Sequence, residues 1–88
     1  MIEFAKSMAG HDRNQIYLVK ESDERFVYLV NGSTKLLAEP KKKSKKHIQI
    51  IKNLPVEVTG YLEETLTDLT VKRAIKAYRR IIGERLES

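Results

Sequence analysis

The chain changes its hydrophobic period once, and that single change constrains the fold more than any other feature. Over the first fifty-odd residues apolar side chains come in short β-rich runs broken by turn residues. From Thr67 to about Leu86 they recur at three- and four-residue steps: Val71, Ala74, Ile75, Tyr78, Ile81 or Ile82, and Leu86. Short strands followed by one amphipathic helix describe an α+β protein. With 88 residues there is room for one small domain.

The strands are read as follows. Ile2 to Ser7 forms a first strand, stopped by Gly10 and the polar run His11-Asp12-Arg13-Asn14. Ile16 to Val19 is the second, ended by the acidic turn Glu21-Ser22-Asp23-Glu24. Phe26-Val27-Tyr28-Leu29-Val30 is the clearest, since every residue is β-branched, aromatic or leucine. Its apolar residues on both faces imply cover on both sides. Asn31-Gly32 is a hairpin signal, because both residues tolerate positive φ. Lys35 to Ala38 is expected to pair back, and Ile48 to Ile51 is the last strand, ended by Leu54-Pro55. Five short strands at this spacing suggest a small closed or half-closed barrel. The helix then needs a surface to bury its stripe on, and the sheet supplies it. Thr67 with Asp68 forms its N-cap, Thr65-x-x-Asp68 being an alternative capping box. Gly83 is expected to end or fray it.

Charge is unevenly placed. Residues 1–32 carry four Lys/Arg against five Asp/Glu, whereas residues 33–60 carry seven lysines against Glu39 and Glu57. Five of those lysines fall in Pro40-Lys41-Lys42-Lys43-Ser44-Lys45-Lys46-His47. Such a block makes a local positive field that attracts polyanions. Three readings stand for it: phosphate contact with RNA, a solvated loop, or a nuclear-import string. The helix cations Lys72, Arg73, Lys76, Arg79 and Arg80 form either a second phosphate-contacting strip or an ordinary solvated face.

Other chemistries find little support. No cysteine is present, so disulfides, thiolate metal sites and thiol nucleophiles are excluded. His11 and His47 have no further ligand at suitable spacing, and no metal or other cofactor is expected. There is no glycine-rich phosphate loop, Gly-x-Ser-x-Gly elbow or HExxH, so no enzyme is expected. The longest apolar run is five residues, far short of the roughly 20 needed to span a bilayer. With no signal-peptide pattern at the N-terminus, the expected compartment is the cytosol. The aromatics Phe4, Tyr17, Phe26, Tyr28, Tyr61 and Tyr78 stand apart from the lysine run in sequence and are expected to pack in the core.

The stretch Ser7-Met8-Ala9-Gly10-His11-Asp12-Arg13-Asn14-Gln15-Ile16-Tyr17-Leu18-Val19 resembles the KOW motif of ribosomal proteins and transcription elongation factors. The likeness runs on through VNGSTKLL and PKKKSKKHIQ to the helix TDLTVKRAIKAY, covering residues 2–80. Joined in this order, the segments are similar to bacterial KOW-domain RNA-binding proteins related to a large-subunit ribosomal protein family. Asn14 stands where the motif usually has its second glycine, and Tyr17 where it usually has a small residue. Asparagine is the next-best residue for a left-handed turn, so the loop shape is expected to persist.

The resemblance implies a five-stranded SH3-like barrel over residues 1–60 with a C-terminal helix over 61–88 packed on it, in one domain. It implies a non-catalytic protein that binds RNA, ribosomal or translation-associated. Lys41, Lys42, Lys43, Lys45, Lys46 and His47 would contact it, with His11 and Arg13 reaching from a loop shaped by Gly10 and Asn14. The alternative is an SH3-like adaptor for a protein partner, since the fold hosts many binding tasks.

Overall fold

A computed structural model describes residues 2–87. Five strands come first: β1 (Phe4–Ser7), β2 (Ile16–Ser22), β3 (Phe26–Val30), β4 (Lys41–Ser44) and β5 (Ile48–Ile51). Two helices follow, α1 (Val56–Glu64) and α2 (Asp68–Glu87). The strands form one antiparallel sheet in the order β4-β3-β2-β1-β5. The architecture is therefore α+β.

The sheet has two edges, β4 and β5, and is not closed into the expected barrel. A single 3-10 turn, Lys45–His47, joins these strands, which lie at opposite edges of the sheet. There they pair with β3 and β1 rather than with each other. A register shift between Val19 and Glu21 in the β2–β3 ladder adds local twist.

Each face of the sheet has its own apolar cluster. Phe4, Ile16, Leu18 and Val30 share one with Val58 and Leu62 of α1 and Val71, Ala74, Ile75 and Ala77 of α2. Tyr78 meets the Phe4 ring edge-on, with centroids 5.5 Å apart. Ala5, Tyr17, Val27 and Leu29 make the second cluster, with Val19 and Ile48 against it. The two-sided apolar pattern of Phe26–Val30 has this cause: Val27 and Leu29 face one cluster, Val30 the other. Leu86, also expected on the helical stripe, lies outside the residues whose side chains are described.

Four local expectations need correction. Lys35 to Ala38 is not a strand. The Asn31 side chain closes its own turn, its Oδ1 accepting from the amides of Ser33, Thr34 and Lys35 at 3.0, 3.0 and 2.9 Å. The chain then makes only an isolated Leu36–Glu39 bridge before pairing resumes at Lys41. The lysine run is consequently the strand β4 and a turn, not a loop. Helix α1 was not foreseen, and residue 60 falls inside it. Finally, Gly83 does not end α2, which continues to Glu87.

Thr67 caps α2 as expected: its Oγ1 accepts from the Thr70 amide at 3.1 Å, while Thr70 Oγ1 accepts from the Thr67 amide at 2.9 Å. This reciprocal pair satisfies two donors at the helix start. Asp68 also accepts from the Leu37 amide, at 2.8 Å, which ties the start of α2 to the β3–β4 connection. Gly32 has φ +79°, and a Cβ there would collide with the Asp68 carbonyl oxygen. No helix among the described residues is long and apolar enough to cross a membrane.

Candidate nucleic-acid interface

The loop between β1 and β2 is a tight structure held by its own backbone. Asn14 donates its amide to the Ser7 carbonyl at 2.8 Å, and Ser7 donates to that of Gln15 at 3.0 Å. Arg13 and Gln15 donate to the carbonyls of Gly10 and Asp12. Two residues turn the chain through the left-handed region, Gly10 at φ 87° and Asn14 at φ 72°. Asparagine does at position 14 what glycine would do, as expected.

Asp12 is the centre of this loop. Its carboxylate accepts from Ser7 Oγ (2.9 Å), Tyr17 Oη (2.9 Å), Lys41 Nζ (2.8 Å) and Lys43 Nζ (2.7 Å). Lys43 also donates to the Ala9 carbonyl at 2.9 Å. The side chains of Asp12 and Lys43 are each 13% exposed. Burial alone would push the Asp12 carboxyl up, but hydrogen bonds from the two lysines, Ser7 and Tyr17 outweigh it. They hold the group well below the usual carboxylate range. Tyr17 moves the other way, to about 12, through burial first and then its hydrogen bond to Asp12 and that residue's negative charge.

Strand alternation decides which lysines take part. Lys41 pairs with Leu29 and Lys43 with Val27, so both lie on the face of the second cluster, where Asp12 waits. Lys42 pairs with Tyr28 on the other face and places its ammonium 4.2 Å from the centre of the Phe26 ring. Two aromatics thus lie beside the lysine segment in space, although none does in sequence. Tyr28 leans toward Asp23, whose carboxylate is held low chiefly by the amides of Phe26 and Arg25.

Beyond β4 the chain turns at Lys45–His47, capped by Ser44 Oγ on the Lys46 amide at 3.3 Å. Lys45, Lys46 and His47 are exposed, as are His11 and Arg13 on the loop. The two segments are joined directly: the Met8 amide donates to the His47 carbonyl at 2.8 Å. The fold therefore sets the loop against the lysine segment, some thirty residues away in sequence, through Lys41, Lys43 and His47, while Lys45 donates its amide to the Arg25 carbonyl of the β2–β3 turn. Among the described side chains, Lys42, Lys45 and Lys46 form no ion pair, while Lys41 and Lys43 share Asp12.

Sequence reasoning missed Asp12. The available signal was an acid inside an otherwise basic or polar turn, with Ser7 and Tyr17 on the flanking strands. The helix cations Lys72, Arg73, Lys76, Arg79 and Arg80 are exposed, and none pairs with a carboxylate among the described side chains. No protein-family model matches the chain, and no curated protein matches it.

Proposed function

We propose that this protein binds RNA without acting on it as an enzyme, through the surface where the β1–β2 loop meets the lysine segment. One observation carries the reading. The segment richest in lysine and the loop that resembles a KOW motif are separate in sequence, yet they are held together by Lys43–Asp12, Lys41–Asp12 and Met8–His47. Lys42, Lys45, Lys46 and His47 supply the phosphate contacts, and His11 and Arg13 reach RNA from the loop. Lys41 and Lys43 contribute at one remove, by fixing Asp12 and with it the loop shaped by Gly10 and Asn14. We read the sheet as an SH3-like fold left open between β4 and β5, with α2 on the side of Phe4. The ribosomal or translation-associated character of the RNA, and a cytoplasmic setting, rest on the KOW resemblance.

The test is a salt titration on ribosomal RNA fragments. Each neutralised phosphate releases condensed counterions, which gives a slope of about −0.7 to −0.9 in log K against log salt per contact. Replacing Lys42, Lys45 and Lys46 with Gln should flatten the slope by about 2–3 units. The control, Lys20 and Lys52 replaced in the same way, should change it less. Unchanged affinity and slope in the triple variant would overturn the assignment. Nuclease-resistant co-purification with one protein would favour the adaptor reading instead.

A further inference from the structure

A groove opens between the C-terminal half of α2 and the sheet, on the face opposite Asp12. Cross-strand pairing explains why it is there. Phe4 stands between Leu18 and Ile51, and this row lies beneath Tyr78. One step along, Lys6 stands between Ile16 and Gln49 on the same face, and these residues line the groove with Tyr78, Arg79, Ile82 and Gly83 of α2. The space left is about 500 Å³, within the range of small-ligand sites. Ile16, Ile51, Ile82 and the Tyr78 ring give it an apolar lining. Lys6 and Arg79 add positive charge, Asn14 and Gln49 add amides, and no described carboxylate lines it.

A second observation comes from Gly83. It lies inside a helix that runs on to Glu87, where glycine is the poorest residue after proline. Its φ is not in the left-handed region, and a Cβ added to it meets nothing within 4 Å among the described residues. Among the described residues, packing therefore gives no reason for a glycine. What a larger side chain would occupy is the groove that Gly83 lines.

We propose that this groove receives one unpaired nucleotide of the bound RNA. The base lies against the apolar wall beside Tyr78, the amides of Asn14 and Gln49 meet its polar edge, and Lys6 and Arg79 hold the adjoining phosphate. The inference rests on the RNA reading above. Continuity supports it: Asn14 belongs both to the β1–β2 loop and to the groove, and Arg79 donates to Gln15 Oε1 of the same loop at 3.4 Å. RNA is read by protein chiefly where bases are unpaired and can be splayed into such slots.

Two RNA hairpins of equal length, one fully paired and one with a single bulged nucleotide, provide the test, together with uridine and adenosine 5′-monophosphates followed by amide NMR. The parent protein should bind the bulged hairpin about tenfold more tightly. Either monophosphate should shift the amides of Asn14, Gln49 and Gly83 to saturation. Gly83→Leu fills the groove while favouring the helix. It should abolish both effects, raise Tm, and leave affinity for the paired hairpin and its salt slope unchanged. Arg79→Gln should weaken only the bulge preference. Equal binding of the two hairpins, or monophosphates that leave those amides unmoved, overturns the groove assignment while the lysine site stands. If neither hairpin binds, the RNA reading itself falls and this proposal falls with it, even where a monophosphate still occupies the groove.

Discussion

Lys41 and Lys43 differ from Lys42, Lys45 and Lys46 in nothing but position, yet the two sets live in different environments. The first two turn inward onto Asp12 beside Tyr17 and Ser7. The others pair with no described carboxylate, one lying above the Phe26 ring and two on an exposed turn. The difference comes from the two-residue period of a strand and from one carboxylate placed under one face. A count of positive charges therefore overstates what this segment offers a polyanion. Two of its five lysines are tied to the β1–β2 loop through Asp12, and the other three are not.

Removing the carboxylate should break this contrast most severely. Asp12→Ala leaves two partly buried ammonium groups unpaired, and it should cost about 2–4 kcal/mol in urea unfolding. A variant as stable as the parent would mean that the inner lysines need no partner. The same contact sets a pH dependence. Because the folded Asp12 carboxyl is held below its unfolded value, its contribution is fully present above the ordinary carboxylate range. It is lost as pH falls from about 4 through the depressed folded value. The stability gap between the parent and Asp12→Asn should accordingly be constant from pH 7 to 5 and close only in stronger acid. A gap already closed at pH 5 would contradict the geometry.

The loop that carries Asp12 gives the next effect. Asn14→Val forces a β-branched residue to φ 72° and should cost about 1–2 kcal/mol, whereas Asn14→Gly should be neutral or mildly stabilising. Within β4 itself the contrast is sharpened one residue at a time. Lys43→Gln should cost about 1 kcal/mol, and Lys42→Gln less than about 0.5 kcal/mol, by thermal or urea denaturation. Equal costs would erase the distinction between the two faces.

How much of this was legible in the sequence depends on whether a pattern had contrast to show. The stripe Val71, Ala74, Ile75 alternates with charge, so α2 and its Thr67 cap could be read directly. The positive φ of Asn14 followed from its place in the resemblance and from its chemistry. In Lys41–Lys43 both faces of the strand carry the same residue, so a period of two leaves no trace. The segment looked like a loop for that reason. Helix α1 was hidden by Val56, Val58, Thr59 and Gly60, all poor helix formers, and stands because Val58 and Leu62 are buried against α2 and the sheet. Gly83 misled in the opposite sense, since neighbouring turns carry the helix past it. The Asp12 cluster depends on contacts across some thirty residues, which no local pattern encodes.

An open sheet also has consequences for how copies of the protein meet. Each edge strand presents backbone amides and carbonyls that another chain can pair with, which is the usual route to edge-to-edge aggregation. Edge β4 is guarded by its composition: two copies approaching along it would press rows of lysine together before any backbone bond could form. The other edge, β5, reads Ile-Gln-Ile-Ile and has no charge of its own. The colloidal behaviour of this molecule is thus asymmetric, with one side of the sheet self-repelling and the other shielded only by what the rest of the chain lays near it.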